Sequence, residues 1–333
     1  MEQEIDLFGQ KVEKKSPLTR EMLEPSVIRI FENISLEKLV SLITNELEEV
    51  VEYYKLSKGE RACQKTSLLF NPHRLCTRSK GKPFSIYEGT KTYNFLTGLA
   101  RTLAYRYNTS NGRARDLLWT TLQFGGINNS KYVNEFPPHV ARDLCHEYGV
   151  TKNSKVLDPC GGWGGRMIGV SVVSDNYCCF EPSTKTYNGL LKLNDFIRNL
   201  NTSFNADIKC LPFEESKLED CSYDFALTSP PYYDTEDYSD EETNSKNRYK
   251  TFDDWCNGFY IPFIKKTMNA LKEGGVFVLN IGSRIYPLNE VLLDNFSKEY
   301  KINKHKDMLM GNNSGLRSKE KEGETFYVIK KTY

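Results

Sequence analysis

No stretch of this chain approaches the ~18–20 consecutive apolar residues that a membrane span requires, so an integral membrane protein is not expected. The nine cysteines are an odd number, and no two of them form a Cys-x-x-Cys pair. That usage suits reduced thiols in a reducing compartment and leaves no zinc ribbon to build. Histidines are scarce: His73, His139, His146 and His305. None has ligand spacing to another, so no metal centre is expected. The opening residues are acidic and lack the apolar core of a secretory signal, so a cytoplasmic location is expected. Internal repeats are missing too, which removes solenoids and propellers.

What is present is an ordinary folding composition. The 333 residues are 39% hydrophobic and 27% charged, which excludes wholesale disorder and leaves room for one large domain or two. The net charge of +1 hides an asymmetry. Between Lys55 and Asp116 stand thirteen Lys or Arg against three acids, with seven Phe and Tyr interleaved. A block of this sign suits a polyanion. Arg74, Arg78, Lys80 and Lys82 are its candidate phosphate contacts. Upstream, residues 1 to about 34 look like an irregular arm. Leu36 to Tyr54 repeat apolar positions at helical spacing, with Ser35 able to cap the start. Residues 93–123 look helical again, with a break near Asn111-Gly112.

From about residue 137 helices alternate with short apolar strands. Strands are expected at 155–158, 177–181, 204–208, 223–228 and 276–280, with helices at 140–148, from about 166, at 185–200 and at 255–271. Such alternation implies an α/β fold with a mostly parallel sheet, which binds ligands at the carboxyl ends of its strands. The candidate site residues fall at those ends. Asp158 closes the first strand and opens a turn containing Cys160, Gly162 and Gly164. Met167 stands where a dinucleotide fingerprint begun at Gly162 needs its last glycine. An acid at the start of the turn suits a cationic group, such as the amino acid end of S-adenosylmethionine. Glu181 follows 23 residues later and can accept both hydroxyls of a ribose. Asp207 can accept the exocyclic amine of an adenine. Thr228-Ser-Pro-Pro-Tyr232 ends the fourth strand. Pro230 and Pro231 stiffen it and remove two N–H donors. Carbonyls and the Ser229 hydroxyl remain to hold an amino group, and Tyr232 offers a flat face to a base.

Asp158-Pro-Cys-Gly-Gly-Trp-Gly164 resembles the cofactor motif of class I S-adenosylmethionine-dependent methyltransferases. Thr228–Tyr232 resembles the catalytic motif of the DNA methyltransferases that modify adenine N6 or cytosine N4. Phe136-Pro-Pro-His-Val140 resembles a further cofactor-binding motif of that family, which brings Phe136 and Pro137 into the site. The resemblance spans about residues 131–285 and extends to phage-type methylases. It implies a Rossmann-like class I methyltransferase sheet over residues 131–333, following a basic, mainly helical substrate-binding region at 1–130. It also implies S-adenosylmethionine as cofactor, DNA as partner and a flipped target base. Serine in place of the commoner aspartate at 229 leans towards cytosine N4. Only 71 residues separate Asp158 from Ser229, too few for a target-recognition domain, so the basic segment becomes the expected DNA reader. The acidic loop Asp234–Glu242 stands against it, because duplex phosphates would be repelled there. Methylation of RNA or of a protein amide is the alternative within the same chemistry, and a catalytically silent nucleic-acid-binding module is the alternative outside it.

Overall fold

The central strands of the C-terminal half are apolar on both faces, and such strands need cover on both sides. The computed structural model describes residues 17–110, 114–124, 133–282, 285–310 and 324–331. It shows one seven-stranded sheet: β1 Lys155–Asp158, β2 Asn176–Phe180, β3 Asn205–Lys209, β4 Tyr223–Thr228, β5 Leu271–Ile281, β6 Tyr300–Met310 and β7 Glu324–Lys331. Their order is β3-β2-β1-β4-β5-β7-β6. The first five are parallel, and β7 runs antiparallel between β5 and β6. This is the expected α/β architecture with a mostly parallel, Rossmann-like sheet. The chain moves outward from β1 to β3 and then returns to β4 on the other side of β1. The carboxyl ends of β1 and β4 therefore flank the crevice where such sheets bind ligands.

Ten α-helices of seven residues or more accompany the sheet among the described residues: α1 Arg20–Phe31, α2 Leu36–Ile43, α3 Glu46–Ser57, α4 Tyr93–Thr109, α5 Ala114–Phe124, α6 Pro138–Glu147, α7 Gly165–Ser171, α8 Thr184–Leu200, α9 Ile261–Ala270 and α10 Leu288–Phe296. Two departures concern the first hundred residues. The expected arm contains α1, capped by Thr19 and held by buried Val27 and Phe31. The expected single helix from residue 36 is two, because Asn45 turns its side chain onto the Glu48 N–H and starts α3 anew. A third departure is β5, which starts at Leu271 and runs through Gly274 at φ +76, a bulge only glycine adopts at low cost.

The N-terminal residues pack in two ways. Val27 through Leu122 contribute a cluster of their own. Tyr53, Leu56, Ala62 and Cys63 instead join the core on one face of the sheet. Polar contacts reinforce the join. Arg142 of α6 donates to the carbonyls of Leu56 and Glu60 at 2.8 and 2.7 Å. The Asn71 amide donates to the Trp163 carbonyl at 3.0 Å, and His73 meets Thr186 at 2.9 Å. No described helix is long and apolar enough to cross a membrane.

Candidate active site

Asp158 ends β1 with no exposed surface, which forces partners on its charge. Arg166, from the first turn of α7, ion-pairs with it at 2.7 Å. Tyr177 and Thr228 donate hydroxyls at 2.6 Å each, and the Cys160 N–H donates at 3.2 Å. The carboxylate is therefore satisfied inside the protein and does not line the crevice. The expected cation was a ligand's; the cation that Asp158 pairs with inside the protein is Arg166. Arg166 also donates to the Cys160 carbonyl and lies 5.3 Å over the Phe136 ring. It lines the crevice and holds the turn in shape.

The glycines divide by task. Gly162, at φ +56, donates its N–H to Glu181 at 3.1 Å and lines the crevice with Cys160. Gly164, at φ +99, does not line it. A Cβ there would overlap Leu193 of α8, so this glycine serves packing. At Gly165 a Cβ would overlap the Phe136 carbonyl. Phe136 lines the crevice, whereas Pro137 stands outside the lining as the residue that starts α6. Glu181 takes N–H groups from Gly162 and, at 2.9 Å, Ser183, one on each oxygen. Burial, only partly offset by these donors, pushes its pKa up to about 7. Each oxygen keeps a lone pair for a ligand hydroxyl.

Asp207 is a correction. It sits inside β3 rather than at its end, faces solvent and pairs with Lys209 at 2.9 Å. The acid on this side of the crevice is Glu214, beyond Pro212 and Phe213. Burial raises its pKa, and Arg248 at 3.0 Å pulls the other way.

The turn after β4 is where it was expected. Ser229, Pro230, Pro231 and Tyr232 all line the same crevice as Gly162 and Glu181. The Ser229 hydroxyl lies 3.2 Å from that of Tyr232 and accepts from the Asn280 amide at 3.4 Å. Tyr232 also donates to the Asn280 carbonyl at 3.4 Å, and burial holds its hydroxyl protonated.

Sequence reasoning passed over Glu135, Trp163, Arg166, Glu214, Asn280 and Glu324, which also line the crevice. Glu135 precedes the Phe-Pro-Pro motif, a signal available without coordinates. It is 91% buried, its Oε2 is engaged by Arg74 and Ser67, and its Oε1 is buried without a partner.

The four basic candidates do not share one environment. Arg74 is 1% exposed, paired with Glu135 and 5.6 Å over the Trp163 ring. Arg78 binds Glu88 with two nitrogens, one at 2.8 Å. Lys80 binds Asp234 at 2.7 Å and the Tyr286 hydroxyl at 2.9 Å. Lys82 closes a turn through its N–H to Ser79. Residues 78–79 form a short antiparallel ladder with 236–237. The acidic loop thus docks on the basic segment, and each neutralises part of the other.

Residues 223–333, about a third of the chain, match the family model described as DNA methylase. That segment opens with β4 and contains the whole Thr228–Tyr232 turn. No curated protein matches. Solved structures similar to this chain include one described as a class I S-adenosylmethionine-dependent methyltransferase from Listeria monocytogenes. It is 14% identical over 93% of this chain and 88% of that one, with a TM-score of 0.42. A tRNA methyltransferase from Aquifex aeolicus is 12% identical over 60% and 70%, with a TM-score of 0.41. An rRNA methylase from Streptococcus thermophilus is 14% identical over 60% and 98%, with a TM-score of 0.39.

Proposed function

We propose that this chain methylates an exocyclic amine of a DNA base, cytosine N4 or adenine N6, with S-adenosylmethionine as donor. The observation that carries the reading is the single crevice shared by the Gly162 turn, Glu181 and Ser229–Tyr232. The last of these lies in the segment matching DNA methylases.

The residues present fit the donor. It supplies a methyl group activated by a sulfonium. Glu181 accepts the ribose hydroxyls with its two spare lone pairs. The unpartnered Glu135 Oε1 takes the ammonium, and Arg166 faces the carboxylate. Gly162 and Gly165 let the backbone approach closely. At the other end, Tyr232 stacks on the base, which must leave the duplex to reach this depth. Ser229 and the Pro230 carbonyl accept the amine N–H groups, which aims the nitrogen lone pair at the methyl. Most of the rate enhancement comes from this orientation.

Nucleoside mass spectrometry of DNA and RNA from cells expressing the chain tests the reading. N4-methylcytosine or N6-methyladenine in DNA, absent from a Tyr232→Ala control, is the expected result. Methylated nucleosides in RNA alone would move the reading to the RNA alternative. No mark in either, together with methylated protein amides, would replace it.

A further inference from the structure

The turn after β4 carries serine where the enzymes it resembles commonly carry aspartate. A carboxylate nevertheless stands at that end of the crevice, from a different strand. Asn280, next to last in β5, has no exposed surface. Its amide nitrogen donates both to Ser229 Oγ at 3.4 Å and to Glu324 Oε2 at 3.1 Å. Ser229 Oγ and Glu324 Oε2 are therefore both within reach of one nitrogen, that of Asn280, and face the same end of the crevice. Strand register explains the placement. Asn280 pairs with Phe326 and Ile281 with Thr325, so Glu324 lies opposite Gly282 at the mouth of the crevice. A Cβ at Gly282 would crowd the Tyr232 ring and touch Glu324, which places the two side chains beside this glycine. Glu324 lines the crevice, and its charge adds to burial in keeping the Tyr232 hydroxyl protonated. It also fixes the Asn280 amide, since a flipped amide would set oxygen against carboxylate.

We propose that Glu324 is a catalytic acceptor: it shares one N–H of the target amine with Ser229, the other N–H going to the Pro230 carbonyl, and takes the proton that the nitrogen sheds. This rests on the reading of the crevice as an amine methyltransferase site. As the nitrogen forms its bond to the methyl carbon, the carbon–sulfur bond breaks and its electron pair stays on sulfur. The nitrogen becomes cationic and loses one proton to the Glu324 carboxylate, which returns it to water after the products leave. Serine suffices at 229 because the charge that an aspartate would bring arrives from β7.

The experiment is single-turnover transfer of labelled methyl from S-adenosylmethionine to amplified, unmethylated DNA, with cofactor affinity measured by calorimetry on each variant. Glu324→Gln keeps shape and one acceptor but loses charge. Its transfer rate should fall about 100-fold, in the range of general acid–base effects, with cofactor affinity unchanged. Glu324→Ala should fall at least as far. Adding Ser229→Asp to Glu324→Gln should recover at least tenfold, because the carboxylate is returned to the same amine. A Glu324→Gln rate within threefold of the unaltered protein would overturn the inference. So would a loss that Ser229→Asp fails to rescue, or one that tracks lost cofactor affinity, since either marks a structural residue. Both results leave the methyltransferase reading standing if the unaltered protein transfers methyl. An unaltered protein that binds cofactor but methylates neither DNA nor RNA overturns the reading and this inference together.

Discussion

Three carboxylates around the Gly162 turn have different environments and should respond differently to change. Asp158 is buried against Arg166, so Asp158→Ala strands a buried guanidinium and should cost about 3–5 kcal/mol of stability in urea unfolding. Glu135→Gln removes a charge from a crevice wall without stranding Asp158. Because Glu135 is the ion-pair partner of the buried Arg74, the change should also lower the unfolding midpoint. Beyond that it should weaken S-adenosylmethionine about 10–150-fold, the loss of one charge-assisted hydrogen bond. Equal cofactor affinity for this variant and the unaltered protein would remove the ammonium from Glu135. Glu181 sets the pH response. Its pKa is raised to about 7 by burial, and hydroxyl donors favour its ionised form. Affinity should therefore be full above about pH 8 and weaken as pH falls through 7, where Glu181 takes up a proton. Glu181→Gln should bind more weakly and flatten that profile. A profile that keeps its shape in Glu181→Gln would assign the titration to another group, such as Glu214.

Elements place these side chains through a few tight contacts. Gly164 caps α7, and a methyl group there would overlap Leu193 of α8. Gly164→Ala meets both a positive φ and an overlap, and should destabilise by about 1–3 kcal/mol. Because the same turn carries Gly162 and Arg166, cofactor affinity should fall with it. Calorimetry and urea unfolding of one preparation check both effects, and a neutral Gly164→Ala would contradict the packing. The β5–β7 pairing works in the same way for the far end of the crevice, by setting Asn280 and Glu324 against Ser229.

Across the whole molecule, the N-terminal region and the sheet share a core, and His73 sits in the seam. Burial, with Lys185 and Arg74 nearby, lowers its pKa to about 4. The unfolded chain takes up a proton near the ordinary value of 6.5, so stability from this group is full above that pH. It is lost progressively as pH falls towards 4. Thermal unfolding near neutrality should show one transition, and its midpoint should drop more steeply with acid than that of His73→Asn. Two separated transitions would contradict the shared core. Long-range electrostatics give a second expectation. Arg78 and Lys80 are already matched by Glu88 and Asp234. Replacing both with alanine should change the log–log salt slope of DNA binding by less than the ~0.9 expected for one neutralised phosphate. A shallower slope by one unit or more per residue would restore them as phosphate contacts.

Period and punctuation made the sheet legible: short runs spaced by helical patterns set four of the five parallel strands to within a residue, while β5 begins five residues earlier than expected. The glycine turn, Glu181 and Thr228–Tyr232 were legible for the same reason, since each is contiguous with a strand end and local chemistry decides its conformation. Which side chains meet across the crevice was not. Asp158 reads as a ligand acid until Arg166 folds back eight residues later to claim it. Asp207 reads as a strand end until register puts it mid-strand and in solvent. Lys80 and the acidic loop look like opposed charged faces until the chain brings them together, and Arg74 looks like a surface cation until it folds onto Glu135. Glu324 carries no local mark at all. Its place depends on an antiparallel pairing with β5, a contact between residues more than forty apart in sequence, and such contacts are made by the packing of the whole sheet rather than by any short stretch of chain.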